Sequence, residues 1–508
     1  MKRFYLCTVF FVVFCLVGCK STSNEPESTS STSAATDTTL NTGDLTSDYV
    51  ENQTFNTTIF IVWSGSSAMV SGSADGVTIT NESGYVTITS TVKNIAYSVS
   101  GSGNGQLSIY STYKFKLVLD GLSLTCPDGP AINNQCKKSC YAVVSGTNTL
   151  VDGSSYRTTD EDRKAAFFSE GQVIFSGTGT LNITGNYKHA LASDDYIRFR
   201  EGTLVLTSNV SDGMHTNDGI IVDGGSITVN AVGEGLQADT SSVLIQGGTV
   251  TVTTQDKGIW AYSCLYITDG IVTVNAKDKG IKCMGPIYIS GGSTTVTSSS
   301  DEGIESKSTL TVTGGYVYAK AYDDAINSAS HMTISGGYVM AYATNNDGID
   351  ANGNFYLKGG TVYAVGSKSP EVGIDANSEA GYKVYIESGN LIAVNGIENG
   401  ASMSQTCYSA SVSTNSWYGL YDGSDLAVAF KSLGSSIVLS SGSCSLYSGV
   451  TTSGSTIWSG YGNTAASGGS SVSLSTYSGG AGMGGGGTPG GGPGSGHGGG
   501  PGGGGFGW

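Results

Sequence analysis

Positive charge is scarce in this chain of 508 residues. Its 24 lysines and arginines face 40 aspartates and glutamates, so the formal net charge is −16. Nucleic acids and anionic membranes attract proteins through basic surfaces, and the charge balance argues against both as principal partners. A divalent cation or a neutral partner is favoured instead, and an acidic polymer would need bridging cations.

Proline, charge of either sign and long hydrophobic runs are also rare. The chain has 8 prolines against 77 glycines, and only 13% of its residues are charged. This composition suits many short strands joined by tight turns and argues against a helical protein. The apolar run at residues 4–17 follows Lys2 and Arg3 and is too short to span a membrane comfortably. It predicts a signal peptide over residues 1–18.

The signal peptide ends in Leu-Val-Gly-Cys at residues 16–19, which resembles a bacterial lipobox. The resemblance implies cleavage before Cys19 and lipidation of that cysteine, which would anchor the protein to a lipid bilayer. Residues 19–48 are rich in Ser and Thr and predict a flexible tether. We expect an exported, monomeric lipoprotein, either periplasmic or at the cell surface.

Seven cysteines remain beyond Cys19, and this odd number leaves at least one of them without a disulfide partner in the chain. Cys136 and Cys140 are close enough in sequence for a local bridge, although spacing alone does not establish one. The four histidines are scattered along the sequence. We therefore expect no metal-binding cluster of Cys and His.

A repeat of 22 or 23 residues organises the chain from residue 212 to residue 400. Each copy has an acidic or charged pair, a Gly followed by an aliphatic residue, a short strand, a Gly-Gly turn and a second strand. The first marker recurs at Gly213, Gly235, Gly258, Gly280, Gly303, Ala325, Gly348 and Gly373. A fixed period of this length is the signature of a solenoid.

Alternating apolar residues on both sides of each Gly-Gly turn predict short strands with one face buried. Stacked in parallel, equivalent strands bury a surface that one repeat alone could not bury. We predict an all-β fold: a right-handed parallel β-helix over residues 49–400, with about eleven coils. Residues 401–477 lose the period but keep strand-like runs, and predict a small C-terminal β cap. Residues 478–508 form a Gly-rich tail that is expected to be disordered.

Several short motifs give the chain a family resemblance. They are Asp-Gly-Ser-Ser-Tyr at 152–156, Ser-Gly-Thr-Gly-Thr-Leu at 176–181, Gly-Asn-Tyr-Lys-His at 185–189 and Asp-Gly-Ile-Asp-Ala at 347–351. In this order they resemble the bacterial β-helical carbohydrate-binding domain family, which is typified by a clostridial cellulose- and pectin-binding protein. The resemblance covers roughly residues 50–400. It implies a pectate-lyase-like fold, calcium at the coil turns, and polysaccharide binding without established lyase activity.

Carboxylates flank the Gly-aliphatic element in many repeats. Stacking would bring those of neighbouring coils close together, and the resulting repulsion calls for a counter-ion such as Ca²⁺, which binds six to eight oxygens. The alternative is that Asp is simply a good turn residue. The predicted calcium ligands are Asp212, Glu234, Asp239, Asp301, Glu302, Glu305, Asp323, Asp324, Asp347, Asp350, Glu371 and Asp375.

Lysines interrupt this acidic pattern at Lys257 and Lys279, one coil apart. Ion pairs there would replace a metal. A second interpretation makes either lysine the base of a calcium-dependent uronan lyase, which needs a depressed lysine pKa. Neighbouring aspartates would act in the opposite direction. No arginine lies in residues 212–400, so an arginine base is excluded from these coils.

Tyrosines recur at positions that the strand alternation places on the outside. The predicted carbohydrate-binding residues are Tyr316, Tyr318, Tyr338, Tyr342 and Tyr363, and a second outward row contains Tyr266, Tyr288 and Tyr356. Aromatic faces stack on pyranose rings, so such rows suit a linear polysaccharide. Alternatively, tyrosine simply favours exposed sheet positions and stacks on tyrosines of neighbouring strands.

The leading functional prediction is a calcium-stabilised β-helix that binds a cellulose- or pectin-like polysaccharide without catalysis. The lyase is the second hypothesis, and a surface adhesin or structural spacer is the third, because a fold alone does not determine function.

Overall fold

The computed structural model describes residues 45–479. The described residues from 47 onward belong to one compact unit. The predicted signal peptide, Cys19, most of the tether and nearly all of the Gly-rich tail lie outside the described residues. Between residues 45 and 479, no helix is both long enough and apolar enough to cross a membrane.

The described chain consists almost entirely of β-strands. Its helical content is limited to four short 3-10 turns, at Leu45–Asp48, Val50–Asn52, Ser378–Ala380 and Trp458–Gly460. Two large sheets carry most of the strands, and we name them the main sheet and the second sheet.

The main sheet has 26 strands: Thr57–Gly65, Ser67–Ser71, Ile95–Asn104, Phe115–Thr125, Cys140–Ser145, Thr147–Val151, Val173–Ser176, Thr180–Gly185, Ile197–Phe199, Thr203–Ser208, Ile220–Val222, Ser226–Ala231, Val243–Thr254, Leu265–Ala276, Ile287–Ile289, Ser293–Ser298, Leu310–Val312, Tyr316–Ala321, Met332–Ile334, Tyr338–Ala343, Phe355–Val365, Val384–Val394, Ser402–Met403, Cys407–Ser411, Ser436–Ser440 and Ser475–Thr476. The second sheet has 14: Val77–Glu82, Tyr85–Ser90, Gln106–Ser111, Ile132–Asn134, Ala165–Ser169, His189–Ser193, Met214–Thr216, Leu236–Ala238, Ile259–Ala261, Ile281–Cys283, Ile304–Ser306, Ile326–Ser328, Ile349–Ala351 and Ile374–Ala376.

Parallel stacking confirms the β-helix. From Tyr85–Ser90 onward, each strand of the second sheet pairs in parallel with its equivalent one coil further along. The solenoid has about 13 turns, somewhat more than the roughly eleven expected. The difference arises because irregular early segments such as Gln106–Ser111 and Ile132–Asn134 join the same stack.

Equivalent apolar side chains form continuous columns inside the coils. Ile281, Ile304 and Ile326 are register partners on successive strands, and all three are buried. Removing apolar surface from water is the dominant favourable term in folding, and here only the stack provides that burial. A column of this kind requires the constant repeat length seen in the sequence.

The second Gly of each turn is needed for backbone geometry. Gly315 has φ +82°, and a Cβ there would lie 2.6 Å from the carbonyl oxygen of Gly291 in the preceding coil. The equivalent glycines all have positive φ: Gly225, Gly248, Gly270, Gly292, Gly315, Gly337 and Gly360. The turns are therefore both left-handed and too closely stacked for a side chain.

Residues 401–479 form a mostly antiparallel C-terminal module. Its strand Ser402–Met403 pairs in parallel, and its strand Ser436–Ser440 antiparallel, with Val384–Val394, the last long strand of the coils. A six-stranded sheet comprises Trp417–Asp422, Asp425–Lys431, Cys444–Ser448, Thr456–Ile457, Gly462–Asn463 and Ser470–Ser471, and Thr451–Thr452 pairs with Ala466–Ser467. The module covers the edge of the main sheet that would otherwise remain unpaired.

The C-terminal module also covers part of the outer face of the main sheet. Tyr318, Met340, Tyr363 and Ile392 are register partners in one outward column. They form an apolar cluster with residues of the module such as Phe430. In the described part of the chain no disulfide is formed, including between Cys136 and Cys140.

Candidate functional site

The middle residue of each short strand in the second sheet lies on the opposite face from the buried core. In chain order these register partners are His215, Gln237, Trp260, Lys282, Glu305, Asn327, Asp350 and Asp375. Strand alternation places them in one line, one coil apart. The charge of this line changes along the rod from histidine through lysine to carboxylate.

Seven carboxylates gather at the last coils, and we call them the acidic cluster: Asp323, Asp324, Asp347, Asp350, Glu371, Asp375 and Glu398. Asn327 Nδ2 lies 3.2 Å from Asp324 Oδ2 and 2.8 Å from Asp350 Oδ2, so one amide joins two coils. The backbone N–H of Asp347 donates to Asp324 Oδ1 at 3.1 Å. These contacts hold carboxylates of neighbouring coils close to one another.

Burial and mutual repulsion make the acidic cluster hard to ionise. Burial, followed by the charges of neighbouring carboxylates, raises the pKa of Asp324 to about 8. Burial raises the pKa of Asp375 to about 8, with the hydrogen bond to Glu398 contributing. The pKa of Asp347 rises to about 7 and that of Asp350 to about 6, again mainly through burial.

No positive side chain relieves this repulsion within residues 45–479, because none of the seven carboxylates forms an ion pair with a lysine, arginine or histidine. Oxygen-rich, negatively charged sites are what Ca²⁺ requires. The donor set therefore fits calcium.

Glu398 is a member of the cluster that the sequence analysis missed. Its neighbour Ile397 forms a parallel bridge with Ile374, and its carboxylate accepts a hydrogen bond from Ser378 Oγ at 2.9 Å. The signal was available, because Glu398 follows Asp375 by the repeat length of 23 residues.

Lysines neutralise the coils before the acidic cluster, and we call this stretch, residues 256–307, the lysine segment. Lys257 Nζ lies 2.7 Å from Asp256 and 3.3 Å from Glu234. Lys279 Nζ lies 2.7 Å from Asp301 Oδ1 and also contacts Glu302.

The buried carboxylate of Glu305 is the centre of the lysine segment. It lies 3.7 Å from Lys279 Nζ and 3.5 Å from Lys282 Nζ, and it also contacts Lys307. Ammonium groups thus pair with four of the predicted calcium ligands, Glu234, Asp301, Glu302 and Glu305, and would compete with an ion there. Their ligand roles stay predictions, because one ligand atom each of Asp301, Glu302 and Asp323 falls within 4.8 Å of the others. Asp301 and Glu302 also lie near Asp323, so the lysine segment borders the acidic cluster.

The same contacts argue against a lysine base. Burial acts to lower the pKa of Lys257, but the hydrogen bond to Asp256 and the charge of Glu234 outweigh it and raise the pKa. The pKa of Lys279 is raised in the same way by Asp301 and Glu302, against the effect of burial. Both lysines stay protonated, contrary to the depressed pKa that the lyase hypothesis requires.

Asp212 and Asp239 join histidines rather than the acidic cluster. The Nδ1 atoms of His189 and His215 each lie 3.0 Å from Asp212 Oδ2. His215 Nε2 lies 3.3 Å from Asp239 Oδ2. The expectation that the histidines form no cluster is therefore wrong, because the coils place His189 directly beside His215. The 23-residue step from His189 to Asp212 could have indicated it.

Burial of tyrosines corrects the predicted glycan-binding row. Tyr363 is 0% exposed and Tyr318 is 6% exposed. The Tyr363 hydroxyl donates to the carbonyl of Lys431 at 3.0 Å and accepts from the backbone N–H of Leu433 at 2.9 Å. Tyr342 is half-buried and packs edge-on against Tyr461. Tyr318 and Tyr363 pack against the C-terminal module and cannot offer a free face to a sugar, and Tyr342 is only partly accessible.

Other outward tyrosines remain partly exposed and stack in pairs. The ring centroids are 5.0 Å apart in Tyr266–Tyr288, 5.4 Å in Tyr316–Tyr338 and 4.9 Å in Tyr356–Tyr385. Their planes are within 15° of parallel. Each pair therefore covers its own inner faces. Tyr338 also packs against Trp458, so Tyr316 is the more accessible ring of that pair.

The profile of the family of carbohydrate-binding domain-containing proteins matches residues 82–348, just over half of the 508 residues. Among solved structures, the chain is similar to a polysaccharide lyase-like protein from C. thermocellum, determined as a gadolinium derivative. The sequence identity is 23%, the TM-score is 0.42, and the match covers 46% of this chain and 96% of that one. No curated protein matches. The family expected from the sequence motifs is confirmed: the chain belongs to the carbohydrate-binding domain-containing protein family.

Proposed function

We propose that the solenoid binds a pectin- or cellulose-like polysaccharide without catalysis, and that calcium fills the acidic cluster. The observation that carries this proposal is a group of seven carboxyl groups, two of them buried, that has no ion-pair partner among the described residues of a carbohydrate-binding family member. An uncovered acidic site would repel an acidic glycan, whereas a calcium ion held there could also bind glycan carboxylate oxygens.

The outer face of the main sheet between residues 226 and 298 supplies a second surface for the glycan. Thr251, Thr273 and Thr295 are register partners on three successive coils, and all are half-exposed. The stacked pair Tyr266–Tyr288 lies on the same sheet. This face precedes the coils that the C-terminal module covers. A flat row of hydroxyls beside aromatic edges suits an extended, hydroxyl-rich chain.

The absence of catalysis is supported by the charge state of the candidate bases. Lys257 and Lys279 are held protonated by carboxylates, and residues 212–400 contain no arginine. Proton abstraction by either lysine would need a neutral amine.

Pull-down on insoluble cellulose and on polygalacturonate gels, with calcium or with chelator, tests the proposal. We expect retention of the wild-type protein on at least one glycan. For an acidic glycan, the variant Asp324→Asn/Asp350→Asn should bind at least tenfold more weakly in calcium, a loss of about 1.4 kcal/mol. The matched control is Asp269→Asn, an exposed turn carboxylate away from the cluster.

Three results would change the proposal. No retention on any glycan would favour an adhesin or spacer, and unchanged binding by the double variant would remove calcium from recognition. Accumulation of an ultraviolet-absorbing unsaturated uronate product would establish a lyase.

We also propose that the protein is exported and anchored through Cys19, which the sequence motif supports. Mass spectrometry of the membrane fraction tests this idea. A lipidated N-terminal cysteine is expected, and the variant Cys19→Ala should appear in the soluble fraction.

A further inference from the structure

His189, Asp212 and His215 form a compact buried group that the proposed function does not use. Their exposed fractions are 2%, 3% and 8%. Asp212 Oδ2 lies 3.0 Å from Nδ1 of each histidine, and the two imidazole rings stack with centroids 4.2 Å apart. One candidate ligand atom from each residue falls within 4.8 Å of the others.

These separations suit a single metal ion. Zinc bonds to imidazole nitrogen and carboxylate oxygen at about 2.0–2.2 Å, which places neighbouring ligand atoms of a tetrahedral site roughly 3.3–3.6 Å apart, a little wider than the 3.0 Å between Asp212 Oδ2 and each Nδ1. First-row transition-metal ions bind two imidazoles and a carboxylate more tightly than calcium does. The three residues could therefore hold a metal with little rearrangement.

When both histidines are neutral, no placement of their N–H protons gives every hydrogen-bond acceptor in the site a donor. A neutral imidazole carries one N–H. If the two Nδ1 atoms both donate to Asp212, then Nε2 of His215 becomes an acceptor facing the Asp239 carboxylate at 3.3 Å. If that Nε2 donates to Asp239 instead, the Nδ1 lone pair faces Asp212 Oδ2 at 3.0 Å. The first arrangement leaves two acceptors in contact at the half-exposed Asp239, and the second leaves two in contact at the buried Asp212.

A metal ion resolves this conflict. With both Nδ1 atoms bound to the ion, His215 Nε2 carries its proton and donates to Asp239. The resulting carboxylate–histidine–metal arrangement is the usual outer shell of a metal-binding histidine. Nε2 of His189 is buried and has no hydrogen-bond partner in the described chain. Its Nδ1 accepts a long hydrogen bond of 3.4 Å from the backbone N–H of Asp212, and the ion would replace that donor.

We propose that His189, Asp212 and His215 bind a divalent transition-metal ion of the zinc class, with Asp239 orienting His215. The ligands come from two successive coils, because His189 belongs to the strand His189–Ser193 and His215 to the next, Met214–Thr216. The ion fastens these coils together. This inference does not depend on the glycan-binding proposal.

Cobalt(II) titration of the purified full chain, followed by visible absorption, tests the site. The protein is first stripped with chelator, and the titration is made in excess calcium so that oxygen-only sites are filled. We expect one equivalent of Co²⁺ to give nitrogen-ligand absorption that Zn²⁺ displaces, together with a rise in the thermal midpoint.

Three variants locate the ion. His215→Gln should lose the absorption. Asp239→Asn, which changes a half-exposed side chain and leaves the three ligands in place, should bind roughly 10- to 100-fold more weakly. His331→Gln is the matched control, because His331 lies on an exposed turn beside Tyr356 and Tyr382. It should bind as the wild type does.

The proposal fails if the wild-type protein shows no such absorption, or if His215→Gln and Asp239→Asn both retain wild-type affinity. In that case the histidines serve only as hydrogen-bonding partners of Asp212. Circular dichroism of each variant shows whether it is folded, and Asp239→Asn keeps the test decisive if His215→Gln unfolds.

Discussion

Individual carboxyl groups in the acidic cluster keep their protons to unusually high pH. An unfolded chain would release these protons near pH 4. The folded protein holds them up to a pKa of about 8 at Asp324 and Asp375. Between these values the folded state binds more protons than the unfolded state, so stability falls as pH rises.

We therefore predict that, in chelator, the thermal midpoint drops by several degrees between pH 5 and pH 8. Calcium should reduce or reverse that drop, because it neutralises the ionised carboxylates. The variant Asp324→Asn/Asp375→Asn should show a flatter profile in chelator. Circular dichroism melts at a series of pH values make the measurement, and a wild-type profile in chelator that does not change with pH would contradict the prediction.

At this scale the sequence predicted which residues are acidic and stacked, but not which of them a lysine neutralises. The spacing places Glu305 in register with Asp350. It does not reveal that three lysine side chains from two neighbouring coils converge on Glu305. Long flexible side chains reach across coils, so their partners depend on rotamers that a repeat pattern does not encode.

At the scale of elements, each coil depends on a turn that only glycine fits. Gly315 combines a positive φ with close approach to the preceding coil. Gly381 also has a positive φ, of +87°, but a side-chain Cβ there would have no atom within 4 Å. A comparison of the two separates backbone strain from stacking.

We predict that Gly315→Ala lowers stability by more than Gly381→Ala does. Left-handed backbone costs a non-glycine residue about 1–2 kcal/mol, and this cost applies to both variants. Only Gly315→Ala adds a clash with the neighbouring coil. Thermal midpoints of the two variants provide the measurement, and equal shifts would show that the stack can open at this turn.

The strands themselves were almost fully predictable. The apolar pairs Leu265/Ile267 and Ile287/Ile289 fall on strands at the expected places, because neighbouring coils touch at one constant sequence separation. The C-terminal module was not predictable in the same way. Its contact between Tyr363 and Lys431 spans 68 residues, a separation that no repeat specifies. The apolar outward column of Tyr318, Met340 and Ile392 was the available sign that another element covers this face.

At the scale of the whole molecule, we expect the C-terminal module to keep the protein soluble, because it covers an apolar face of the main sheet. We predict that a chain ending at residue 400 self-associates, because Met340, Tyr363 and Ile392 lose their cover and the strand Val384–Val394 becomes an open edge. A chain ending at residue 479 keeps the module and should remain monomeric. Sedimentation velocity distinguishes them, and a monomeric 400-residue chain would contradict the prediction.

The lysine segment has a further consequence for the rod as a whole. It separates Asp212 from Asp324 by about five coils, or roughly 24 Å at the usual strand spacing. This exceeds the screening length of about 8 Å in physiological salt. Binding of an ion at the histidine group should therefore not change the affinity of the acidic cluster for a second ion. We expect a titration with two different metals to show two independent binding steps.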